Sequence, residues 1–313
     1  MLRRAWVLPL ICLSFPFATT ALATPREPLP PPGAPLPAAP PAADSLGGAV
    51  PAGLEGLLTL ASNRVEVFYL PDALDRGSRV QDRLENLHEL FTKITVTPLP
   101  WKAAAIDRVR WNKLAPGWPW GLPVRIAGPI FLVPAHGDAG TVATATWLLG
   151  GAPPDPGGDP MTGTRAETGS LVVCDALLQI EVARAFVAAT GIAGDEPWVT
   201  GVLVQLAARY AWEALEPGRM LEVVGLFDRM AAAHPLAAPG RLTDYRGGLP
   251  FDVDLWYQAQ FVRGADAIWV AEGRRGVARH LGHWISAGKP VRRADLEKKY
   301  PALVAWERAA FAP

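Results

Sequence analysis

What most constrains this fold is a change of character at a stretch rich in Gly, Pro and Asp, Gly150–Gly169. Upstream of it, strand-like and helix-like segments alternate. Downstream, after a short extended lead-in at Ser170–Cys174, every segment has helical spacing. Arg64–Leu70 (RVEVFYL) alternates apolar with polar side chains and is rich in β-branched and aromatic residues, which predicts a strand. Val80, Leu84, Leu87, Leu90 and Phe91 recur at helical spacing and predict a helix from Pro71-Asp72 to Lys93. Ile94–Leu99 reads as a second strand, stopped by Pro100, and Pro129–Pro134 (PIFLVP) as a strand buried on both faces. Asp138 is placed to cap a helix reaching Leu149, and Gly150–Gly169 reads as a surface loop. The helices predicted beyond it are Ala176–Thr190, Val199–Leu215, Arg219–Ala233, Val253–Glu272, Gly276–Ser286 and Arg293–Phe311. A small mixed-sheet lobe (53–175) followed by a mainly helical lobe (176–313) is an α+β arrangement.

The region before residue 53 has a different composition. Arg3 and Arg4 precede the apolar run Ala5–Ala18, and Ala21-Leu22-Ala23 has the small-x-small pattern of a cleavage site, so residues 1–23 read as an export signal. Ile11 stands where a lipoprotein signal wants a small residue, which argues against a lipid on Cys12. The run is shorter than the roughly 20 residues that span a bilayer, and no transmembrane span is expected after cleavage. Residues 24–52 hold ten prolines and read as an extended, partly polyproline spacer. The whole chain carries 30 basic and 30 acidic residues, and losing Arg3 and Arg4 leaves a slight acidic excess, which gives no footing for nucleic acid. Only Cys174 survives cleavage, so no internal disulfide can form and the fold rests on its apolar core. A periplasmic or extracellular location follows from the signal.

Within Leu171–Tyr210, Ile180-Glu181-Val182-Ala183-Arg184 is followed by Pro197-Trp198-Val199-Thr200-Gly201. With the Val65–Tyr69 strand, the apolar strand ending at Val133-Pro134, Trp256–Val262 (WYQAQFV) and Glu272-Gly273, these segments stand in an order that resembles the catalytic domain of peptidase MA-like gluzincins, the thermolysin-like zinc peptidases. The resemblance covers about residues 60–288. It implies a gluzincin-like fold for residues 53–313, with Ala176–Phe186 in the place of the active-site helix. That helix carries H-E-x-x-H in the family, because imidazoles at i and i+4 share a face and grip one zinc. Here the two ligand positions are Ile180, which cannot ligate, and Arg184, which is cationic and repels a divalent ion. The third ligand falls at Gly201, which has no side chain. Glu181 alone matches, at the position of the base that activates a zinc-bound water. The shifted register Gln179…Ala183 supplies no ligand either.

The resemblance therefore implies a degenerate member: a non-catalytic pseudopeptidase with no zinc or other cofactor, binding a peptide or protein in or near the inherited cleft. Two alternatives stay open at this stage, an active zinc metallopeptidase with atypical ligands and a cell-envelope scaffold. Glu181 and Arg184, at i and i+3, are expected to pair.

Other groups carry weaker chemistry. His280 and His283 (H-x-x-H) lie near enough in a helix to share a metal, but no acid or thiol stands close in sequence. His88-Glu89 has Thr92 where a second histidine would stand, and reads as a solvated helix face. Cys174, beside Val172 and Val173 in the predicted strand, reads as buried and unreactive. Ser170 has no G-x-S-x-G setting. Asp155 and Asp159 lack the spacing of a calcium loop. Trp101, Trp111, Trp118 and Trp120 are expected to cover an apolar face of the sheet, with an exposed binding platform as the alternative.

Overall fold

A computed structural model of the chain describes residues 52–96, 99, 101–126, 130–151, 165–233, 241–246, 249 and 251–311. The signal-like segment, nearly all of the spacer, Pro129, Asp155 and Asp159 lie outside the described residues. The fold is α+β: a five-stranded mixed sheet with nine α-helices among the described residues.

The strands are β1 (Leu58–Ala61), β2 (Val65–Tyr69), β3 (Trp101–Ile106), β4 (Val124–Ile126) and β5 (Ile130–Pro134). Their order is β1-β2-β3-β5-β4. The central three run parallel, while β1 on β2 and β4 on β5 are antiparallel edges. Nearly every side chain of the parallel strands is buried, as expected where helices or loops cover both faces. Side chains alternate between two cores, following the period of two along a strand. Val65, Val67, Ala103, Ala105, Phe131 and Val133 join the large core, and Phe68, Ala104, Ile106, Ile130 and Leu132 join a smaller one. Glu66 and Lys102, paired in register, form a 2.7 Å ion pair.

Helix α1 (Leu74–Thr92) lies on the large-core face, and α2 (Arg108–Leu114) contributes Trp111 to the smaller core. Trp101 packs edge-on against Phe91, and Phe91 stacks at 4.1 Å on Phe186 of α4 (Arg165–Thr190), so the first lobe's sheet, α1 and α4 share one apolar seam. A buried guanidinium reinforces it: Arg76 donates to the Pro134 carbonyl at 3.2 Å and to Asp175 at 2.7 Å.

Helix α5 (Pro197–Leu215) starts with Pro at its first turn and is buried nearly all round, the pattern of a central helix. It packs against α4 and α7 (Phe251–Ala287), with α6 (Met220–Ala233) beside α7. Helix α7 breaks at Gly273, whose φ of 61° and ψ of 179° are non-helical and suit glycine. Helices α8 (Arg293–Lys299) and α9 (Pro301–Phe311) replace the single helix predicted over Arg293–Phe311, because Pro301 starts a new helix rather than continuing one.

Two predicted strands fall elsewhere. Ile94 and Thr95 are not strand; their amides donate to the Phe91 carbonyl at 2.9 and 3.1 Å and finish α1, and the strand begins at Trp101. Ser170–Cys174 lies within α4, which spans the 175/176 border placed between the lobes. Its Val-Val pair has a strand propensity that helical packing overrides: Ser170, Val173 and Cys174 are buried on the inner face while Leu171 and Val172 are not.

Asp138 caps α3 (Ala139–Leu148), its carboxylate accepting from the Thr141 amide at 2.7 Å and from Trp120 Nε1 at 3.0 Å. Asp138→Ala removes both bonds. The expected loss is about 1–2 kcal/mol in urea unfolding, while Asp138→Asn, which keeps an acceptor, recovers most of it.

Candidate functional site

The face of α4 that carries Ile180, Glu181 and Arg184 opens onto a cavity of about 260 Å³. Leu122 and Pro123, the residues leading into edge strand β4, form one wall, and Phe227 of α6 and Leu255 of α7 another. Trp118 lies at the side, half-buried, its Nε1 donating to the Leu122 carbonyl at 2.9 Å. With Leu177 and Ile180 from α4, most of the lining is apolar. The polar part is compact: Glu181, Arg184, Asp254 and Gln258.

Glu181 and Arg184 do pair, Oε1 to Nε at 3.3 Å, with 20% and 37% of their side chains exposed. Burial raises the Glu181 carboxyl above its ordinary range; the charge of Arg184 opposes that rise and Asp254 adds to it. Burial works against the Arg184 charge, but Glu181, Asp254 and Tyr245 outweigh it. Tyr245 follows a 3₁₀ turn at Leu242–Asp244 and lies within hydrogen-bonding reach of both Asp254 and Arg184. Burial first, and then the charge of Asp254, pushes its phenol up to about 12, so it stays a neutral donor. Gln258 Nε2 donates to the Tyr245 hydroxyl at 2.9 Å, and its Oε1 accepts from Gln205 Nε2 at 2.9 Å. A polar chain thus runs from the cavity through α7 to α5, anchoring the charged groups to the core.

The three positions at which the resemblance would place zinc ligands hold no ligand. Ile180 is buried and apolar, and Arg184 is ion-paired with Glu181 in the field of Asp254. At Gly201 the space for a side chain is filled: a Cβ built there lies on the Phe261 ring, 2.5 Å from Cδ2 and closer still to Cε2. Restoring a ligand at that position requires moving an aromatic ring from the core.

His280 and His283 line a separate groove of about 890 Å³ that shares no lining residue with the α4 cavity. His280 Nε2 is 3.1 Å from Glu272 Oε1, but Lys299 Nζ stands 2.6 Å from the same nitrogen, where a second cation is repelled. Glu272 also accepts from Lys299 at 2.8 Å and from the Tyr300 hydroxyl at 3.0 Å. These hydrogen bonds, the one from Lys299 foremost, hold its carboxyl down at about 2. The cluster ties α8 to α7 beside the Gly273 break. His283 itself is exposed.

The remaining candidates are structural. Trp111 and Trp120 meet edge-on at 5.2 Å and cover the smaller-core face of the sheet, while Trp101 lies on the opposite face. Cys174 is buried, its thiol pushed up to about 12 chiefly by burial, too high for a nucleophile at neutral pH. The Ser170 hydroxyl is spent on the Glu167 carbonyl and Thr141. His88 is not on a solvated face. It is half-buried, its ring edge-on to Trp101 at 5.8 Å, because position 88 flanks the stripe of Leu84, Leu87 and Phe91.

Sequence reasoning missed Tyr245, Asp254 and Gln258. A usable signal was present: Asp254 and Gln258 sit one helical turn apart within the apolar stretch VDLWYQAQF. Among the described residues no helix is long and apolar enough to cross a membrane. Comparison with protein-family models and with curated proteins finds no match to this chain.

Proposed function

We propose that this chain is an exported, zinc-free pseudopeptidase of the gluzincin type, which binds a peptide or an extended protein segment in the α4 cleft without cleaving it. One observation carries the reading. The cavity retains Glu181 at the position of a catalytic base, while the positions that would hold zinc around it are an isoleucine, an ion-paired arginine and a glycine backed by Phe261. A carboxylate with no metal-bound water has nothing of lowered pKa to deprotonate. Binding needs less. Strand β4 ends the sheet order, so its outer edge has no strand partner among the described residues, and the cavity begins at the residues leading into it. A peptide laid along that edge takes backbone hydrogen bonds from β4 and places a side chain in the cavity.

A peptide array probed with the purified protein tests this. Binding should survive Lys113→Ala, on an exposed face, and drop at least tenfold in Leu177→Arg, which pushes a long side chain into the cavity. Equal binding by both variants places the interaction outside the cleft and sinks the proposal.

A further inference from the structure

We propose that the α4 cavity is a pocket for one basic side chain, lysine or arginine, of the bound peptide, an inference that rests on the peptide-binding reading. Three features of the cavity carry it. Its volume of about 260 Å³ falls below the ~300–1,000 Å³ of sites that enclose a whole small ligand, and suits a single long side chain. Its walls of Leu122, Leu177, Phe227 and Leu255 match the methylene stem of such a residue, which buries its carbons while its charge seeks polar company.

Charge is the third feature. Two carboxylates, Glu181 and Asp254, line the cavity against one guanidinium, Arg184. Arg184 is ion-paired with Glu181 and lies in the field of Asp254, so its single positive charge is already set against two carboxylates. Gln258 is likewise occupied, by Gln205 on one side and Tyr245 on the other. Arg125 acts on Glu181 from its exposed position in strand β4 but does not line the cavity, and solvent screens it. The lining is left one negative charge in excess. An arriving ammonium or guanidinium offsets that excess and relieves the repulsion that the Asp254 charge exerts on Glu181, whereas an anionic side chain adds to it.

The test uses short capped alanine peptides with a single central lysine, arginine, norleucine or glutamate, read by fluorescence polarisation at low salt. The lysine and arginine peptides should bind about tenfold more tightly than norleucine, equivalent to ~1.4 kcal/mol, and glutamate should bind most weakly. In Glu181→Gln/Asp254→Asn, where Arg184 keeps the only charge in the lining, the order should invert in favour of glutamate. Circular dichroism checks that the double variant folds. If it does not, the wild-type order and the isosteric Glu181→Gln variant decide. Norleucine binding as tightly as lysine overturns the basic pocket and leaves the peptide-binding reading standing. No binding by any peptide overturns both.

Discussion

Replacing Arg76 with methionine lowers the unfolding free energy by about 3–5 kcal/mol in urea titrations at neutral pH, the range for removing one partner of a buried ion pair. The guanidinium is 4% exposed and holds three groups from different elements: the Pro134 carbonyl at the end of β5, Cys174 Sγ at 3.6 Å and Asp175 at 2.7 Å. Methionine keeps much of the stem's volume and removes all three bonds. The pH dependence separates a lost ion pair from lost packing. Burial alone would raise the Asp175 carboxyl, but Arg76, with help from Arg83, holds it below its ordinary value. Its contribution in the native protein is therefore present above the unfolded carboxylate value, near 3.9, and is lost as pH falls through the lower folded one. Without Arg76, burial raises the folded value and the sign reverses. The gap between wild type and Arg76→Met should therefore narrow as pH falls through about 4. A gap constant with pH would mean that Arg76 matters only as packing.

Gly201→Ala destabilises the protein by about 1–3 kcal/mol, the cost of overpacking. The sign is the informative part, since glycine to alanine inside a helix ordinarily gains about 1 kcal/mol. Here the added carbon meets the Phe261 ring, a fully buried side chain with no room to retreat. Gly201→Glu, which would restore the third ligand of the resembled family, costs more still, because a whole carboxylate must enter the same space. Phe261→Leu, made with Gly201→Ala, should show a favourable coupling in a double-mutant cycle, the smaller side chain making space for the new carbon. A stabilising Gly201→Ala would place α5 and α7 farther apart than the structure has them. The expected result also means that no metal-ligating side chain fits at position 201 unless Phe261 moves.

The parts of this architecture readable from sequence are those set by local patterning. RVEVFYL marks β2 by its β-branched and aromatic residues, its one buried acid, Glu66, being paired with Lys102, and PIFLVP marks β5 by an unbroken apolar run, as suits a strand covered on both faces. Asp138 announces its cap, and the i, i+3 spacing of Glu181 and Arg184 announces their pair. The failures share a cause. Ser170–Cys174 looks like a strand because Val-Val favours one, and only packing of α4 against the large core decides for helix. Lys102–Ile106 is mostly small residues whose role as the middle strand depends on neighbours at both sides. Strands β1 and β4 are short edges, with pairing set by distant partners.

The same holds for the candidate site. The α4 residues were visible because they occupy consecutive helical positions. Asp254 and Gln258 reach the cavity only because α7 packs on α5 and α5 on α4, a relation across some 70 residues that no local spacing records, and Tyr245 stands behind them on the Gln258 amide. The filling of Gly201 by Phe261 is likewise a tertiary fact; the sequence shows a missing side chain, and the structure shows why one cannot be added.

The central claim is that the α4 cleft binds without a catalytic metal. It is tested most directly by measuring zinc in the purified protein by elemental mass spectrometry, after exposure to excess zinc and desalting, with peptide hydrolysis assayed on the same sample. The account predicts substoichiometric zinc and no hydrolysis that a chelator abolishes. One zinc per chain, lost together with cleavage on chelation and with Glu181→Gln, would contradict it.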